Sequence, residues 1–158
     1  MATTSFTAQN GKASTLKKIF SRQTSVSIEI KSETSIIWTL LTNASDFARW
    51  NSTVISIEGN ILAGEKINLT STLDPKRVFK LKVKEFKPET TLAWGDAMGN
   101  RIYTLDKKEN GVILFSMTEK IGGPLFPLFA KMIPPFDKSF EQFAADLKKE
   151  AESIMNTK

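Results

Sequence analysis

The sequence predicts an α+β fold: a curved antiparallel sheet of about six to seven strands wrapped around one long C-terminal helix, with two short helices after the first strand. Three observations predict it. Apolar and polar residues alternate with period two from Val26 onward, in runs separated by turn signals at the spacing of an antiparallel meander. One interruption, around Ser35–Trp50, has helical spacing instead. After Pro134-Pro135 the apolar residues change to a 3.6-residue period and keep it to Ile154.

Residues 1–23 are rich in Ser and Thr, basic and free of acid, with Phe6, Leu16, Ile19 and Phe20 the only large apolar residues after Met1. They are expected to be a flexible basic tail in front of a single domain over 24–155. They contain no continuous apolar stretch of the secretory type; their composition also matches an organellar targeting segment, and that alternative stays open. "SVSIEIKS" then alternates, with Val26, Ile28 and Ile30 on one face. Ser32 offers an N-cap for a helix whose apolar stripe is Ile36, Ile37, Leu40 and Leu41, and Ser45 or Asp46 can cap one further turn holding Phe47 and Trp50. Strands follow over "STVISIEGN", which ends in a Gly-Asn turn, "KINLTSTLDP", "RVFKLKVKEFKP", "TLAWGD", "NRIYTLDKK" and "VILFSMTEKIGG". The clearest of them sets Phe79, Leu81 and Val83 inward and Lys80, Lys82 and Lys84 outward. "GGPLFPLFAKMIPP" is apolar but broken by proline. Phe136, Phe140, Phe143, Leu147 and Ile154 then share a helical face.

At 158 residues, 41% hydrophobic and 25% charged, the chain suits one soluble domain with a sizeable core, and no run reaches the length of a membrane-spanning helix. There is no Cys and no His. That excludes disulfides, thiolate chemistry, a histidine general base, a serine triad and most transition-metal sites, so no cofactor or metal is expected. Most of the net charge of +5 sits on Lys12, Lys17, Lys18 and Arg22, the only charged residues before Glu29. The remaining body is close to neutral, which argues against nucleic acid as partner. No stable membrane insertion is expected, a cytoplasmic location is, and oligomeric state is not readable.

One register can be counted from sequence. A three-residue loop Glu109-Asn110-Gly111, with Gly in the left-handed position, sets Lys108 opposite Val112. Counting outward pairs Leu105 with Phe115, Tyr103 with Met117 and Arg101 with Glu119. This face is the more apolar, so it points inward and carries Arg101 and Glu119 with it. Two roles stay open for the pair: a cross-strand ion pair near the sheet end, or a polar anchor at one end of an apolar pocket.

In order along the chain, "VSIEI", "IIWTLLTNASDFARWN", "SIEGNILAGEKINL", "TLAWGD", "RIYTL" and "MTEKIGG" resemble the START-like SRPBCC superfamily, and within it the polyketide cyclase/dehydrase group. The resemblance covers about residues 24–150; "MIPP" departs from it, where a continuous final helix would be expected. It implies a helix-grip fold with a cavity between sheet and helix, and a hydrophobic small-molecule ligand: a lipid, fatty acyl chain or polyketide. The inward residues Leu81, Val83, Trp94, Tyr103, Phe115 and Met117 are then expected to face the ligand, with Arg101 and Glu119 as its polar anchor. Trp50 either lines the cavity or plugs the core, and Phe126 and Phe129, beside Met132, Ile133 and Phe136, form a lid or simply more core. The leading expectation is a binder or carrier rather than an enzyme. A polyketide cyclase or aromatase using Arg101, Tyr103, Glu119 and Asp96 is the alternative, and a co-chaperone-like interaction module a further one.

Overall fold

The computed structural model describes residues 10–158. The chain runs β1 (Ala13–Lys17), β2 (Ser21–Ile30), α1 (Thr34–Thr42), a 3-10 turn (Ala44–Asp46), α2 (Phe47–Trp50), β3 (Val54–Glu58), β4 (Lys66–Ser71), β5 (Phe79–Lys87), β6 (Thr91–Gly95), β7 (Gly99–Lys107), β8 (Ile113–Gly122), α3 (Phe126–Phe129), a second 3-10 turn (Ala130–Met132) and α4 (Asp137–Asn156). The strands form one antiparallel sheet in the order β1-β2-β8-β7-β6-β5-β4-β3. It is the expected α+β architecture with one strand more than expected.

That strand is β1, and it corrects the reading of residues 1–23 as a tail. Residues 13–17 pair with β2 from Ala13 opposite Val26 to Lys17 opposite Arg22. The strand gives no apolar alternation because it is an edge strand faced by small side chains, of which Ala13 and Thr15 are half-buried. Its anchors are polar: Thr15 Oγ1 donates to Asp137 Oδ1 at 2.6 Å, and Ala13 N–H donates to Glu141 Oε1 at 3.3 Å. The inward phase of β2 likewise runs back beyond Val26 through Thr24 to Arg22, both buried. Residues 1–9 of the expected tail lie outside the described residues.

Curvature comes from two bulges, between Val54 and Ser56 in β3 and between Val83 and Glu85 in β5. The second shifts the inward phase, so that Val83 faces Trp94 and Phe86 faces Leu92. In the concave side lies α4, whose Phe140, Phe143, Ala144, Leu147 and Ala151 are buried against β1 and β2 with α1 and α2 alongside. Ala144 and Ala151 let the helix approach closely. Pro134 and Pro135 precede Asp137, so the prolines set where α4 starts and leave its 20 residues unbroken. The cap of α1 differs from expectation: Glu33 occupies the N-cap without a side-chain bond, because the Ser32 hydroxyl turns to the Glu33 carbonyl at 3.4 Å.

Phe143 is the hub of the core. Its ring centroid lies 5.9 Å from Phe47, 6.0 Å from Trp50, 5.6 Å from Tyr103 and 6.2 Å from Phe115. Such pairs each add roughly 0.5–1.5 kcal/mol beyond area burial. Phe47 and Trp50 therefore plug the core under α4. Asn51 fixes the turn that delivers them: its buried Oδ1 accepts from Thr53 N–H at 3.1 Å and Thr53 Oγ1 at 2.7 Å.

Candidate functional site

The β7–β8 hairpin has the counted register. Gly111 at φ +83° lets its N–H donate to the Lys108 carbonyl at 2.9 Å, and Lys108 N–H donates to the Val112 carbonyl at 2.8 Å. Leu105 then faces Phe115, Tyr103 faces Met117 and Arg101 faces Glu119. Arg101 and Glu119 thus reach the inner face at the far end of the hairpin, with side chains 17% and 19% exposed. Arg101 Nε lies 3.3 Å from Glu119 Oε1, and Nη2 donates to Oε2 at 3.4 Å. The Nε–H does not aim at the carboxylate and has no hydrogen-bond partner among the described residues. The guanidinium carbon sits 5.0 Å over the Phe140 ring.

A cleft of about 200 Å³ opens beside this pair. Leu69, Phe79, Leu81 and Trp94 supply its apolar walls from β4, β5 and β6. Met132, Ile133, Pro134 and Phe136 close it on the α4 side, and Arg77 and Met98 stand at its exposed rim. Gly95 forms part of the lining because no side chain fits there: a Cβ would lie 2.3 Å from the Gly99 carbonyl oxygen.

Of the residues expected to face a ligand, the structure brings Leu81, Trp94, Arg101 and Glu119 together around the cleft. Val83, Tyr103, Phe115 and Met117 are inward as expected but fully buried in the packed core behind it. The aromatic stack around Phe143 occupies the space where a deeper cavity would lie. Trp50 is in that stack and does not reach the cleft, so of its two roles it takes the core one. Phe126 and Phe129 pack edge to face at 5.9 Å within α3, away from the lining, whereas Met132, Ile133 and Phe136 do line it.

The electrostatics of the cleft floor follow from burial. Burial opposes the charge on Arg101, but Glu119 and the Tyr103 oxygen outweigh it and hold the guanidinium above its ordinary value. Burial pushes the Tyr103 phenol up to about 12, against the pull of the Arg101 cation. Its hydroxyl also has no hydrogen-bond partner among the described residues. At neutral pH the floor thus presents the Arg101–Glu119 ion pair, with the neutral Tyr103 phenol buried behind it.

Sequence reasoning missed Arg22. It is buried, donates from Nη1 to the Ile133 carbonyl at 3.1 Å and from Nη2 to the Pro134 carbonyl at 2.8 Å, and stacks on Phe136 at 4.7 Å. It therefore pins the segment that closes the cleft. Burial lowers its pKa, with Glu119 and Asp137 acting in opposition. The available signal was its place in the inward phase of β2, masked by its charge. No group of three or more His, Cys, Asp or Glu side chains placed to hold a metal occurs among the described residues.

No family model matches the chain, and no curated protein matches it. Solved structures do. A START superfamily protein from Mycobacterium smegmatis superposes with a TM-score of 0.61 at 13% identity, over 84% of this chain and 98% of that one. A protein from Mesorhizobium loti gives 0.61 at 19% identity over 84% and 98%. A conserved protein of unknown function from Enterococcus faecalis gives 0.61 at 14% identity over 87% and 75%. At these identities the likeness establishes the fold, which is START-like.

Proposed function

We propose that this START-like chain binds one hydrophobic small molecule, of lipid, acyl or polyketide type, in the cleft beside Arg101 and Glu119. The observation that carries the reading is a cleft with apolar walls whose lining includes a largely buried ion pair, Arg101 with Glu119. Apolar walls with a few convergent polar groups are the usual make-up of a small-molecule site. A volume of about 200 Å³ is below the ~300–1,000 Å³ of drug-sized sites, so a short or partly protruding ligand fits best. Glu119 already balances the Arg101 charge. A keto, ester or hydroxyl oxygen therefore suits the exposed part of the Arg101 side chain better than a second carboxylate, which would face Glu119.

Binding without turnover is favoured over cyclase chemistry. Tyr103, the chain's single tyrosine, stays protonated until about pH 12 and lies behind the lining rather than in it. The test is equilibrium binding of a fluorescent fatty-acid methyl ester. One equivalent should bind, and Ser71→Phe, which places a ring in the cleft, should weaken binding at least tenfold. An absence of saturable binding, or binding indifferent to Ser71→Phe, would overturn the reading.

A further inference from the structure

The end of the sheet that carries the cleft mouth has a second property, independent of what the cleft holds. Of the large apolar side chains standing in solvent among the described residues, all but Ile55, Leu62 and Ile102 lie at this end. Ile19 and Phe20 form the tip of the β1–β2 hairpin, Met98 the β6–β7 turn, and Leu125, Leu128 and Met132 the α3 region. Ile19, Leu128 and Met132 are 77%, 79% and 80% exposed. These are one surface, because the segments are stitched together. Gly123 N–H donates to the Phe20 carbonyl at 3.0 Å, Gly122 N–H donates to the Met98 carbonyl at 2.9 Å, and Met98 and Met132 line the same cleft. Contiguous exposed apolar residues on a soluble domain mark an interaction site.

The charges choose the partner. Lys17, Lys18, Lys76, Arg77 and Lys131 are exposed around these tips. The acidic residues of the connecting turns are Asp74 and Asp96, and Asp96 is turned into its own turn, where Oδ1 accepts from Met98 N–H at 2.8 Å and Gly99 N–H at 3.1 Å. A second copy of this chain would bring lysines against lysines. Nucleic acid would leave the aliphatic tips without a partner. Apolar tips ringed by Lys and Arg, on several short protrusions rather than in a groove, match the boundary of an anionic bilayer, which accepts protruding side chains without needing shape complementarity.

We propose that this end docks reversibly on the surface of anionic membranes, with Ile19, Phe20, Leu125 and Leu128 entering the headgroup–acyl boundary and Lys17, Lys18 and Lys131 over the lipid charges. The docked chain holds its cleft mouth against the bilayer. The proposal does not rest on the cleft's occupant, since every contact it uses lies on the outer surface.

The experiment is flotation of the full chain with vesicles of phosphatidylcholine alone and with about a third phosphatidylserine, at low and high salt. Binding should appear on the anionic vesicles, be absent on the neutral ones and fall with salt. Each interfacial lysine contributes about fivefold, so Lys17→Gln with Lys18→Gln should weaken partition roughly thirtyfold. Lys80→Gln with Lys82→Gln, the same charge change on the outer face of β5, should leave it unchanged. Leu125→Ser with Leu128→Ser removes two of the four inserted side chains and should also weaken partition at least tenfold. Circular dichroism and fluorescent ester binding in solution check that each variant is folded with its cleft intact. Absence of flotation on anionic vesicles overturns the proposal, as does equal loss in the β5 control. Absence of vesicle binding together with a dimer that Leu125→Ser and Leu128→Ser dissolve in sedimentation would assign the surface to self-association instead. Flotation without ester binding would refute the cleft reading and leave docking standing.

Discussion

Removing one partner of the Arg101–Glu119 pair should destabilise the fold by several kcal/mol, and removing both should cost less than the sum. At 3.3 Å and an effective dielectric of about 20, the gross attraction is about 5 kcal/mol. Desolvation offsets much of it, and the long 3.4 Å bond from Nη2 adds little. The net worth of the intact pair is therefore small. The cost of breaking it is not, because the surviving ion remains more than four-fifths buried without its partner, Glu119 then having only the charge of Arg22 to balance it. That situation costs about 3 kcal/mol. Arg101→Met and Glu119→Gln should each lower stability by about that amount. For a chain of this size it corresponds to roughly 6–12 °C in melting temperature. The double variant should recover about 2 kcal/mol relative to additivity. Urea unfolding followed by circular dichroism gives all four corners of the cycle. Single losses below about 1 kcal/mol, or additivity within about 0.5 kcal/mol, would show a solvated rim pair and remove the buried cation from the account.

Other outcomes follow from the same geometry. Because Tyr103 is the only tyrosine, tyrosinate absorbance reports it alone, and its midpoint should lie near pH 12 rather than near the ordinary value of about 10. The folded value is the raised one, so its contribution to stability is complete below pH ~10 and is lost as pH climbs through about 12; a midpoint at 10 with the fold intact would mean the phenol is hydrated. Gly95→Ala should destabilise by more than about 2 kcal/mol in thermal melts, since its Cβ would meet backbone of Gly99 and Asn100; a melt within a degree or two of the parent would contradict that packing. Deleting residues 1–20 should lower the melting temperature by several degrees and expose the β2 edge to self-association, read by light scattering, because β1 and its bonds to Asp137 and Glu141 go with it. An unchanged melt would return β1 to the status of a tail.

Where the inside of the fold is apolar, the sequence was legible. Val26, Ile28 and Ile30, the β5 alternation and the Phe140–Phe143–Leu147 face each announce an element by period alone, and the Glu109–Gly111 loop fixes a register down to Arg101 opposite Glu119. Polar structure was not legible. β1 is held by Thr15 and backbone bonds, and Arg22 reaches the inner face with a charge that periodicity scores as outward. The cleft was half legible for a related reason. Alternation tells which side chains point inward but not which of them touch one another. Val83, Tyr103, Phe115 and Met117 satisfy the inward pattern and are consumed by the core, Tyr103 and Phe115 against Phe143, while Leu81, Arg101 and Glu119, nearer the sheet end, line the cleft and the buried Trp94 backs it.

Trp94 makes the central claim directly measurable, because it lines the cleft while Trp38 and Trp50 are buried elsewhere, against Phe86 and Phe143. A brominated fatty-acid methyl ester quenches tryptophan only on close approach. Titrating it should quench the parent protein to saturation at one equivalent. In Trp94→Phe the quenching should vanish, while a fluorescent ester, read by its own emission, still binds at one equivalent. Quenching that persists in Trp94→Phe, or that never saturates in the parent, would place the ligand elsewhere and contradict the assignment of this cleft as the binding site.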